Sequence, residues 1–104
     1  MTEPLEISLT DAAERDLDSI WDTIVAEGST DVADNFIWAL QKHFEPLRKF
    51  PNAGAPRDHL LPGLRVVFHR RYAIYYKPLP KIVFIVRVVH SARDITTMFE
   101  GGEE

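Results

Sequence analysis

The stretch KIVFIVRVVHSARD, residues 81–94, decides the fold. From Ile82 to Val89 every residue except Arg87 is apolar, and most are β-branched, so the run reads as a strand. Both of its alternating faces are apolar, which makes it a central strand covered at least partly on each side. An isolated charge is costly in such a place. Arg87 nevertheless sits within the strand, and His90, Arg93 and Asp94 follow at its exit. A hydrophobic strand that delivers cations to its end marks that end as the first place to look for function.

Two further strands precede it, Leu64 to His69 and Tyr72 to Lys77, with turns at His69 to Arg71 and Pro78 to Pro80. Links this short make antiparallel hairpins, and so a three-stranded meander. Further back lies a turn-rich loop, Phe50 to Gly63, carrying Arg57, Asp58 and His59. Before it, two apolar stripes recur at helical spacing. Ala13, Leu17, Ile20, Trp21 and Ile24 define a helix over 11–27, with Thr10 or Asp11 as N-cap and Gly28 as its end. Val32, Ala33, Phe36, Ile37, Leu40, Phe44 and Leu47 define a second, which Pro46 should kink or end. The short link at Gly28 to Thr30 makes the pair an antiparallel hairpin. At the start, Leu5, Ile7 and Leu9 alternate with polar residues as a short strand, placed to pair with the last strand and make it internal. The expected class is α+β: an N-terminal strand and an antiparallel helical hairpin packed on a small antiparallel sheet with a three-stranded C-terminal meander. A brief turn through Ile95, Met98 and Phe99, capped by Ser91 or Asp94, should close the chain.

At 104 residues the chain is expected to form a single domain over 1–104. It has no cysteine, which excludes a disulfide framework and a thiolate site. Its four histidines, His43, His59, His69 and His90, do not fall at metal-ligand spacing, so neither metal nor cofactor is expected. No signal peptide or membrane span is visible, and a cytoplasmic protein is expected. The net charge of −4 conceals an asymmetry. Residues 1–50 carry 11 acids and 4 bases, whereas residues 51–104 carry 5 acids and 8 bases. An acidic helical layer and a basic sheet side follow from this. The acidic total argues against strong direct nucleic-acid binding.

Several segments together resemble a known family. They are Leu9-Thr10 with Ala13, Asp16-Leu17 and Ile20; Phe50-Pro51-x-x-Gly54-x-x-Arg57; Gly63-Leu64-Arg65; Tyr72-x-Ile74-x-Tyr76; and the closing RVVHSARD of residues 87–94. Their order and spacing are similar to the ParE branch of the RelE/ParE toxin superfamily of type II toxin–antitoxin systems, the plasmid stabilisation proteins. The resemblance implies a small toxin neutralised by a cognate antitoxin, with which it forms a hetero-oligomer. ParE-type members act on DNA gyrase, and RelE-type members are ribosome-dependent mRNA endonucleases.

The residues favour the first branch. Metal-free RNA cleavage needs a proton acceptor and converging cations at one phosphate. The RelE-type middle strand resembles Tyr-Arg-Leu-Val-Tyr, but Ala73 stands where that arginine would be. The C-terminal tyrosine of that branch is replaced here by Phe99, which has no hydroxyl. Arg65, Arg87, His90 and Arg93 remain as the set an endonuclease would use. The reading therefore leans away from an enzyme and toward a gyrase-binding toxin. An mRNA endonuclease, or an inactive member that only binds its antitoxin, is the alternative. Candidates for contact with a partner or target are Arg57, Arg65, Trp38, Arg87 and Arg93. Each also has a plain structural reading. Arg87 pairs with an acid such as Asp94 or Asp58, or snorkels to an edge. His90 is a packing or hydrogen-bonded histidine, Arg93 forms a local pair with Asp94, and Arg57 is a solvated charge. Arg70-Arg71 keeps a hairpin tip polar, and Trp21 belongs to the core. Trp38 lies off the apolar stripe, where a tryptophan is available to a partner.

Overall fold

The structure is a computed structural model that describes residues 3–93, 95, 98 and 99. The elements in chain order are β1 (Glu6–Leu9), α1 (Asp11–Glu27), α2 (Thr30–Lys42), α3 (Pro46–Lys49), β2 (Ala55–Pro56), β3 (Arg65–His69), β4 (Tyr72–Pro78) and β5 (Ile82–His90). They form one five-stranded sheet in the order β1-β5-β4-β3-β2. β1 runs parallel to β5, and every other neighbouring pair is antiparallel. The N-terminal strand thus flanks β5 and makes it internal, as its apolar composition requires.

The helices begin where their capping chemistry dictates. Thr10 is extended, and its Oγ1 accepts the Ala13 N–H at 3.0 Å. Ser29 does the same for Val32 at 3.2 Å. α2 stops at Lys42, four residues before Pro46. A proline ring collides with the carbonyl four residues back and supplies no N–H to it. The backbone responds by tightening to three-residue hydrogen bonds through His43, Phe44 and Glu45, and Pro46 opens the short α3.

Two cores follow from the two apolar faces of β4 and β5. Between helices and sheet lie Ala13, Leu17, Ile20, Leu40, Phe44, Leu47, Ile74, Tyr76, Val83, Ile85 and Val88. A smaller cluster of Leu64, Val66, Ala73, Tyr75, Val89 and Phe99 sits under Leu60, Leu61, Ile95 and Met98. The 57–64 loop and the C-terminal turn therefore act as a second cover for the sheet. Trp21 is not fully in the core as its place on the stripe suggested. It is half-buried, and its Nε1–H donates to Asp34 Oδ1 at 2.8 Å, bridging α1 and α2. Its amphipathic ring explains the position, because burying the indole N–H would need a partner inside.

The loop contains a two-residue edge strand, β2, which the sequence did not announce. A proline is compatible with an edge. The loop is held from beneath by Tyr76, which is fully buried. The Tyr76 hydroxyl donates to Pro51 O and accepts the Gly54 N–H, both at 2.8 Å. A Cβ on residue 54 would lie 2.6 Å from that hydroxyl and 2.7 Å from Val66 O, so only glycine fits.

Candidate functional site

The β5 register slips beside β4. Tyr75 faces Arg87 while Tyr76 faces Ile85, so Val86 is the extra residue of a β-bulge. β1 ends its pairing at Leu9, opposite Ile85, which leaves the next part of β5 with an open flank. α1 fills this flank with side chains. Thr10 Oγ1 donates to Val86 O at 2.8 Å, and the Asp16 carboxylate accepts the Val88 N–H at 2.9 Å. The same carboxylate takes Arg87 Nε at 2.7 Å and Nη2 at 2.9 Å, a two-pronged ion pair. The side chains are 10% exposed for Asp16 and 20% for Arg87. These hydrogen bonds hold the Arg87 guanidinium above its ordinary, already high pKa, against the opposing pull of burial. The acid that pairs Arg87 is therefore Asp16, not Asp94 or Asp58. Asp58 instead accepts the Gly63 N–H at 2.8 Å, fixing a left-handed turn, and Asp94 lies outside the described residues.

The other candidates are dispersed. Arg65 Nη1 donates to Asn52 O at 3.0 Å and Gly54 O at 2.6 Å, tying the loop to β3. Arg57 lies in the same loop. Its Nη1 donates to Pro56 O at 2.8 Å, and its charge partly offsets the upward push that burial gives the Tyr75 phenol. His90 is exposed at the far end of the sheet, its ring edge-on to Tyr72. Arg93 is exposed one turn later, with its N–H on His90 O at 3.0 Å. Through the register, Arg65 faces Tyr76 and His90 faces Tyr72. Those positions are four residue steps apart on β4, about 13 Å along the strand. Trp38 projects from α2 at 62% exposure with the Lys42 ammonium 4.2 Å from its ring centroid. Among the described residues no group of three or more His, Cys, Asp or Glu side chains is placed to hold a metal. None of their helices is long and apolar enough to cross a membrane.

Asp16 was not among the acids expected to pair with Arg87, although it left a signal. It lies three residues after Ala13 and four before Ile20, so it is an acid on the apolar stripe of its helix. Arg87 is a base in an apolar strand. Two lone opposite charges in apolar patterns are candidates to find each other.

A model of the family described as "ParE toxin of type II toxin-antitoxin system, parDE" matches residues 7–95. The chain is 26% identical over 88 residues to the protein named Toxin ParE1 in two strains of Mycobacterium tuberculosis, covering 84% of this chain and 90% of the relative. Two solved structures share the fold. A chain of the chromosomal ParDE TA system from P. aeruginosa superposes with a TM-score of 0.74 at 24% identity, covering 86% of this chain and 98% of that one. A chain of the toxin-antitoxin complex RelBE2 from Mycobacterium tuberculosis gives 0.59 at 24%, covering 84% and 98%. From within β1 to just past β5, the chain thus carries one family's pattern: it belongs to the ParE toxins of type II toxin–antitoxin systems.

Proposed function

We propose that this toxin inhibits DNA gyrase by binding it, stalling the enzyme on broken DNA without covalent chemistry of its own. A cognate antitoxin neutralises it in the cytoplasm. The observation that carries this reading is the dispersal of the endonuclease set. A phosphate held for cleavage needs its cations and its proton acceptor around one point. Here Arg87 is committed to Asp16 and Arg65 to loop carbonyls, and Arg65 and His90 face β4 positions about 13 Å apart.

Surface chemistry supports a protein-binding role instead. Trp38, Phe50, Phe68 and Val32 are each more than half exposed. Phe50 and Leu79 border a hollow of about 840 Å³ beside β1, α3 and the β4–β5 turn, with Arg48 and Lys49 among its lining residues. An extended antitoxin segment with apolar and acidic side chains matches that lining, and it would gain order as it docks.

The test is induction of the chain alone in growing bacteria, followed by a supercoiling assay with purified gyrase. The expected result is growth arrest with intact mRNA, a DNA-damage response and cleaved DNA trapped on gyrase. Rapid cleavage of ribosome-bound mRNA would overturn the reading in favour of an endonuclease. Absence of arrest would leave a chain that only binds its antitoxin.

A further inference from the structure

At the other end of the sheet, away from the hollow beside Phe50, lies a second hollow of about 330 Å³. It is lined by Phe36, Arg70, Arg71, Tyr72 and His90. Arg70 and Arg71 form the two-residue turn between β3 and β4, and Arg71 O accepts the Ser91 N–H at 2.7 Å, which ties the turn to the exit of β5. Arg70 holds φ at 54°, a left-handed conformation that glycine takes far more readily. Neither arginine forms an ion pair among the described residues. His90 Nδ1 accepts the Ala92 N–H at 3.1 Å, so the neutral ring carries its proton on Nε2 and offers a donor. The rim thus presents two guanidinium forks and an imidazole N–H. The floor is aromatic: Tyr72 meets Phe36 edge-on at 5.6 Å and His90 edge-on at 5.5 Å.

We propose that this hollow holds one nucleotide of a DNA strand, its phosphates on Arg70 and Arg71 and its sugar and base against the rings of Phe36, Tyr72 and His90. A carboxylate would satisfy the forks but leave the rings uncovered, whereas a nucleotide joins both chemistries in one unit. Two cations on a chain of net charge −4 cannot hold nucleic acid strongly. They suit a strand already presented by another protein. The choice of DNA over RNA rests on the gyrase reading; recognition of a nucleotide at this end does not.

The experiment measures fluorescence anisotropy of a labelled twelve-residue thymidine oligonucleotide with the purified full chain, from low to moderate salt. Two phosphate contacts predict weak binding with a log–log salt slope of about −1.4. Arg70→Gly with Arg71→Gln should weaken binding about tenfold or more and flatten the slope; Arg70→Gly also relieves the left-handed residue, so the fold is retained. Arg71→Gln alone should have about half the effect on the slope. Lys81→Gln, at the opposite hairpin, should change nothing. Absence of binding at the lowest salt, or binding unaltered in the double variant, overturns the proposal. So does equal competition by a twelve-residue glutamate peptide, which would make the rim an acidic-peptide site, or tenfold tighter binding of a uridine oligonucleotide. Gyrase pull-down separates the two ideas: a toxin that binds the oligonucleotide through Arg70 and Arg71 but never touches gyrase sinks the gyrase reading alone.

Discussion

Replacing Asp16 tests the main physical claim about the β5 bulge. The carboxylate accepts three hydrogen bonds, two from Arg87 and one from the Val88 N–H, at 2.7 to 2.9 Å. With both side chains one-fifth exposed or less, solvent screens the pair poorly. Asp16→Ala removes all three bonds and leaves a largely buried guanidinium and a backbone N–H without those partners. Breaking such a pair from one side costs about 3–5 kcal/mol. Asp16→Asn keeps one acceptor but loses the charge and turns an amide N–H₂ toward the guanidinium, for about 2 kcal/mol. For a chain of this size, 3 kcal/mol lowers the melting temperature by about 12–24 °C. The sign of the double variant is the sharper test. Asp16→Leu with Arg87→Met removes both charges and fills similar volume, so it should cost less than Asp16→Ala alone. Urea denaturation at fixed pH of the wild type, Asp16→Leu, Arg87→Met and the double variant closes a double-variant cycle. If Asp16→Ala costs under about 1 kcal/mol, or if the double variant costs the sum of Asp16→Leu and Arg87→Met, the pair does not hold the bulge.

Other expectations follow from single contacts. Gly54→Ala should destabilise by at least about 2 kcal/mol, because its Cβ would stand 2.6 Å from the Tyr76 hydroxyl and 2.7 Å from a backbone carbonyl; calorimetry reads this directly. Tyr76→Phe strands Pro51 O and the Gly54 N–H and should cost about 1–3 kcal/mol, while loosening amide-exchange protection in the loop around residue 54. His69 should make the protein acid-sensitive. Burial lowers its pKa first, with His43 and Arg70 adding to the effect, and its Nε2 is buried with no hydrogen-bond partner among the described residues. A base whose folded pKa lies below its unfolded value of 6.5 stabilises fully above pH 6.5 and loses that contribution as pH falls through the folded pKa. The urea midpoint of the wild type should therefore drop more steeply than that of His69→Gln between pH 7 and 5. Trp38→Ala should change stability by under about 0.5 kcal/mol, since the side chain is mostly solvent-exposed. A drop above 2 kcal/mol would make Trp38 a structural residue.

Much of this fold is legible in the chain because it is written in local periodicity. Apolar spacing of three to four residues fixes both helices, Thr10 and Ser29 carry the caps, and short links force the hairpins. The unbroken apolar run of β5 already requires a cover on both faces. The tight turns that make the meander are local as well, so their strands follow from sequence neighbours alone.

Tertiary structure decided what local patterns cannot carry. The bulge at Val86 depends on β1 ending opposite Ile85 and on α1 supplying Thr10 and Asp16, residues more than seventy positions away. Arg87 looked available from its own strand and proved committed, because its partner sits on a helix that only the packed fold brings near. Arg65 likewise reads as a candidate contact until the 50–56 loop folds back and presents its carbonyls. The cations of Arg70 and Arg71 meet His90 and Phe36 because antiparallel pairing returns the end of β5 to the β3–β4 turn. Composition and spacing set which elements form, since each answers to its own side chains. Which charges are spent on structure and which stay free is set by long-range pairing, since an ion pair is decided by distance in space and not by separation along the chain.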